Sequence, residues 1–85
     1  MSKTDQEIKT ILSKELSVNE GLSEDKITIN RNSRIEVWFD LDVEHISIIK
    51  IHHVAQELGT LDDIIVKPIR LPDRENLRIQ IYLYP

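Results

Sequence analysis

The residues of this chain able to hold a metal or move a proton are three histidines, His45, His52 and His53, and 15 aspartates and glutamates. If His45 and His52 share a helix they lie two turns apart, about 10 Å along its axis, whereas zinc takes histidines at i, i+3 or i, i+4. No cysteine is present to complete a site, to form a disulfide or to act as a thiol nucleophile. No serine stands in a nucleophile elbow, and Gly21 and Gly59, the two glycines, cannot make a glycine-rich phosphate loop. The carboxylates are scattered over positions that read as surface. The expectation is therefore no catalysis, no metal, no cofactor and no small-molecule substrate.

A second set of residues suits recognition instead. Arg34-Ile35-Glu36-Val37-Trp38-Phe39 is echoed forty-four positions later by Arg78-Ile79-Gln80-Ile81-Tyr82-Leu83. Each segment alternates with period two, so Ile35, Val37 and Phe39 share one face with the character of a core, as do Ile79, Ile81 and Leu83. The opposite face gathers Trp38, Tyr82 and Tyr84 with Arg34, Arg78 and Gln80. Aromatics interleaved with arginines on a sheet stack nucleobases in RNA-binding proteins and grip protein partners in others. They also stabilise sheets as cross-strand pairs with no ligand at all. The net charge of −4, with Glu36 and Asp40 on the same face, disfavours phosphate and leaves nucleic acid the lesser alternative.

These side chains need elements to hold them. Thr4-Asp5-Gln6-Glu7 has capping-box spacing, and Ile8, Ile11, Leu12 and Leu16 recur as an amphipathic stripe, which predicts a first helix over 5–17. Lys26–Asn30 alternates and pairs as a hairpin with the strand running from Arg34 through Leu41, across a turn at Arg31-Asn32-Ser33 in which Asn32 best tolerates positive φ. Asp42 is the expected cap of a second helix, Glu44–Leu58, stopped by Gly59. Ile48, Ile51, Val54, Ala55 and Leu58 form its core stripe. Ile46, Ile49 and His53 form a separate face with docking spacing. A third strand over Asp62–Leu71 carries Lys67 and Pro68, residues that guard a sheet edge. A turn at Pro72–Asn76 leads to a fourth strand from Leu77 to the end.

Eighty-five residues with 40% apolar and 31% charged side chains make residues 1-85 a single domain. No apolar run approaches the roughly 20 residues of a membrane helix, and the first residues lack the apolar segment of a secretion signal, so the expectation is a cytoplasmic protein with no membrane contact. The order α-β-β-α-β-β reads as two αββ halves. The right-handed crossover rule gives a four-stranded antiparallel sheet of order 1-2-4-3 with two helices on one face, an α+β two-layer sandwich. That layout resembles the ferredoxin-like fold with its first strand moved to the C-terminus, in architecture only. The expected function is that of a small non-enzymatic regulatory protein (an inhibitor, adaptor or subunit) that binds a protein partner or itself, including as a homodimer. Its contacts would come from the Trp38/Tyr82/Tyr84 face or the Ile46/Ile49/His53 face. Single-stranded RNA stacked on the open sheet is the alternative.

Overall fold

The computed structural model describes residues 3–17, 21–43, 45–73 and 75–85. Helix α1 (Asp5–Leu16) opens on the expected capping box. The Glu7 N–H donates to the Thr4 hydroxyl at 3.1 Å, and the Thr4 N–H donates to the Glu7 carboxylate at 3.0 Å. Ile8, Leu12 and Leu16 are buried along one side of it. After a 3-10 turn at Glu24–Lys26 come β1 (Thr28–Arg31), β2 (Ile35–Leu41), α2 (Ile48–Leu58), β3 (Leu61–Arg70) and β4 (Glu75–Leu83). The strands form one antiparallel sheet in the order β1-β2-β4-β3, so the chain has the permuted ferredoxin-like α+β architecture. Val18, Asn19 and Glu20 between α1 and the 3-10 turn, and Arg74 before β4, lie outside the described residues.

The echoed segments are the two central strands, and Val37 lies directly opposite Ile81. These two are counterparts forty-four positions apart, so an approximate twofold axis passes through their pair. Alternation follows from it. Ile35, Val37, Phe39 and Leu41 of β2 and Ile79, Ile81 and Leu83 of β4 are buried, and meet Ile8, Leu12, Ile51, Val54, Ala55 and Leu58 from the helices in one core. β3 is an edge strand, as Lys67 and Pro68 implied. Its pairing assigns the phase that Ile64-Ile65-Val66 leaves open: Ile64 stands opposite Ile81 and Val66 opposite Ile79 on the helix side.

The second helix departs from expectation at its start. It begins at Ile48, and Ser47 rather than Asp42 is its cap, its hydroxyl accepting from the Lys50 N–H at 3.3 Å. Glu44, the expected first residue, lies outside the described residues. Ile46 therefore precedes the cap in the position of a hydrophobic staple, five residues before the buried Ile51 in the fourth helical position, and packs against the core. Ile48, expected in the core, is 63% exposed. It shares a helix-wheel sector with Ala55 but sits in the first turn, where α2 hangs over the edge strand. Two turns also differ. Asn32 does not take positive φ, its N–H instead donating to the Arg34 carbonyl at 3.1 Å. Gly59 ends α2 at φ 156°, ψ −160°, a region essentially restricted to glycine, rather than in the left-handed helical conformation.

Candidate partner-binding surfaces

On the open side of the sheet Trp38 stands opposite Gln80, Glu36 opposite Tyr82 and Asp40 opposite Arg78. Trp38 and Tyr82 are thus diagonal neighbours on adjacent strands, within reach of each other's flanking groups. Arg78 lies over the Trp38 ring, its guanidinium carbon 4.9 Å from the centroid, and Arg34 lies over the Tyr82 ring at 4.3 Å. These two stacks are mates under the approximate twofold axis. The open face therefore gathers Trp38, Tyr82, Tyr84, Arg34, Arg78 and Gln80, as their period placed them.

The stacks are already occupied electrostatically. Arg78 grips Asp40 with both Nε and Nη2, at 2.8 and 3.1 Å, and Arg34 Nη1 reaches Asp62 at 2.8 Å. Fork geometry of this kind makes the strongest class of side-chain hydrogen bond. The Arg34 guanidinium, with Tyr84 in support, holds the Asp62 carboxyl below its ordinary range. The same carboxylate pushes the Tyr84 hydroxyl upward, while for Tyr82 loss of water is the larger cause and Glu36 adds to it. Each arginine thus has a carboxylate on its donors and a ring beneath its plane. A phosphate approaching either one must displace an acidic side chain, at a cost set by that pairing. Asp62 was not foreseen in this role. It is the additional residue at the irregularity between Leu61 and Asp63, where β3 shifts register against β4, and no alternation pattern announces it.

The helical surface is different in kind. Ile49 is 70% exposed, and His53, one turn later, is exposed beside it. Ile46, assigned to the same face from its spacing, is half-buried in the core and drops out of it. Ile48 and His52 take its place. They line a shallow groove between α2 and the edge strand, floored by Leu61, Ile64 and Val66, with Asp62 and Asp63 at one end. Sequence reasoning missed this border. The helical period puts Ile48 in the core, and only the position of β3 at the sheet edge leaves it uncovered.

His45 lies ahead of α2 and not on it, so the three histidines do not share a helix. Among the described residues no three His, Cys, Asp or Glu side chains converge as a metal site would require, and no helix is long and apolar enough to cross a membrane. No protein-family model, curated protein or solved structure matches the chain. Geometry and chemistry alone speak to function.

Proposed function

We propose that the protein is a small non-enzymatic binding module that works through contact with another protein chain, using the border between α2 and β3. The observation that carries this is the pair of isoleucines on the first turn of α2, 63% and 70% exposed, beside a groove floored by further aliphatic side chains. Contiguous apolar surface rimmed by polar groups is how protein interfaces are built, and isolated exposed apolar residues do not make such a groove. The aromatic sheet face serves less well, because its arginines are committed to Asp40 and Asp62. Nucleic-acid stacking on Trp38 and Tyr82 is the competing role, and it too would have to break those pairs.

The test compares wild type with Ile48→Asp and Ile49→Asp, by sedimentation and by capture of partners from the native host. Association lost in the aspartate variants, with the circular dichroism spectrum unchanged, is the expected result. Trp38 fluorescence quenched by oligonucleotide, in a manner that fades steeply with added salt, would overturn it in favour of nucleic acid.

A further inference from the structure

The two edges of the sheet are finished differently. β1 is 4 residues long, and its last residue, Arg31, is tied to the start of α1 by an ion pair with Asp5 at 2.7 Å and a bond to the Lys3 carbonyl at 2.8 Å. A short edge of that kind resists pairing with a stranger. β3, at the other edge, is 10 residues long. Three observations establish which of its main-chain groups face outward. The Tyr84 N–H donates to the Thr60 carbonyl, so Tyr82, Gln80 and Arg78 also point toward β3, opposite Asp63, Ile65 and Lys67. Pro68, which has no N–H, falls outside that set, as an edge proline must. The Ile64 N–H meets the carboxylate of Asp63 at 2.8 Å. Ile64 and Val66 therefore turn their N–H and C=O groups away from β4.

Along this edge Asp63-Ile64-Ile65-Val66-Lys67 is self-complementary when laid antiparallel against itself. We propose that β3 pairs with β3 of a second copy of this chain about a twofold axis at Ile65, joining two four-stranded sheets into one of eight. The inference rests on the protein-binding role given above to the α2–β3 border and names its partner. In this register Ile64 faces Val66 of the second copy and exchanges both main-chain bonds with it, and symmetry repeats the exchange. Asp63 faces Lys67 of the second copy, again twice over, on the open side of the sheet, with the two Ile65 side chains between the ion pairs. On the helix side Ile64 and Val66 meet their counterparts, and the exposed Ile48 covers the seam.

Other registers fail on stated grounds. A slip of one residue sets the outward-turned main-chain groups of Ile64 and Val66 opposite residues whose own groups point back to β4, so no ladder bonds form. Centring on Ile64 or Val66 loses both ion pairs, and the latter sets Pro68 where a donor is needed. In the single chain Asp63 guards the edge by occupying the Ile64 N–H. On pairing, its carboxylate exchanges that N–H for the Lys67 ammonium of the second copy, and the N–H passes to a carbonyl.

The experiment is sedimentation equilibrium from about 10 μM to about 1 mM, the span in which a modest interface competes with dilution, on wild type, Asp63→Lys and Lys67→Asp. Each single reversal sets like charges face to face at both sites and should weaken dimerisation about tenfold. An equimolar mixture of the two variants recreates both attractive pairs and should restore wild-type association as a heterodimer, which a merely structural role for either residue would not do. Amide exchange at Ile64 and Val66 should slow as wild-type concentration rises. A monomer at every concentration, or a mixture no tighter than its components, overturns the β3 pairing. If capture of a different protein is still lost in Ile49→Asp, the pairing alone falls; if neither association nor capture exists, the role of the α2–β3 border falls with it.

Discussion

Phe39 and Trp38 are adjacent in sequence and on opposite sides of the sheet, so truncating each to alanine measures the two faces separately. Phe39 is wholly buried opposite Ile79 beneath the helices. Removing a buried phenylalanine costs about 3–5 kcal/mol, from lost transfer energy together with the cavity left behind. An 85-residue domain has a total stability of roughly 4–13 kcal/mol at the usual increment per residue. Phe39→Ala therefore removes a large part of what holds the fold. Trp38 is half-buried on the open face and loses mainly its contact with Arg78. An exposed cation–π contact is worth about 0.5–1 kcal/mol, so Trp38→Ala should cost no more than about 2 kcal/mol with its partial burial included. The assay is urea unfolding followed by far-ultraviolet circular dichroism, because Trp38 is the sole tryptophan and its variant has no indole signal. With a urea slope of about 1–1.5 kcal/mol/M for a domain this small, the Phe39 midpoint falls by about 2–5 M and the Trp38 midpoint by less than about 2 M. Equal losses, or a larger loss at Trp38, would refute the placement of the helices over the Phe39 face.

Three further outcomes follow from side chains already located. Ser47→Ala removes the cap of α2 and should cost about 1 kcal/mol in the same urea assay. Ile46→Asp should destabilise the fold by more than about 1 kcal/mol, since it buries a charge against the core, whereas Ile49→Asp should stay within about 0.5 kcal/mol. Equal effects would move the start of α2 back toward the earlier residues. The Asp62 carboxyl should titrate below an ordinary aspartate by nuclear magnetic resonance and return toward it in Arg34→Ala. A folded-state value below the unfolded one gives stabilisation that is present above the ordinary aspartate value and is lost as pH falls through the lowered one. A destabilisation in Arg34→Ala that persisted undiminished in strong acid would contradict this.

The central strands were legible because alternation and burial agree at every position from Ile35 to Leu41 and from Ile79 to Leu83. Their echo also placed them side by side. The start of α2 was not legible, because Asp42 and Ser47 are both good caps and Ile46, Ile48, Ile49 and Ile51 satisfy more than one helical phase. Tertiary packing decided it, drawing Ile46 onto the core as a staple. The composition of the open face could be read from the sequence, but its self-sufficiency could not. Asp40 reaches Arg78 only because the register sets them opposite one another, and Asp62 reaches Arg34 only through an irregularity in β3. The groove under Ile48 depends on which strand ends the sheet, a property of topology to which no local pattern is sensitive.

The approximate twofold axis through Val37 and Ile81 also says where the two halves differ. It exchanges β2 with β4 and the Arg34–Tyr82 stack with the Arg78–Trp38 stack, and at those positions the halves are alike in residue type and ring contact. It likewise exchanges β1 with β3, and there the likeness fails. One edge is 4 residues long and fastened to α1 through Arg31, while the other is 10 residues long, aliphatic at its centre and flanked by opposite charges at Asp63 and Lys67. An interior held in common constrains stability equally in both halves, so it cannot explain why one edge is closed and the other is not. A long edge is a standing risk of unwanted pairing, and a fold that had only to stay monomeric could have shortened both. The departure from symmetry at β3, together with the turn of α2 above it, is the feature on which the proposed self-pairing rests.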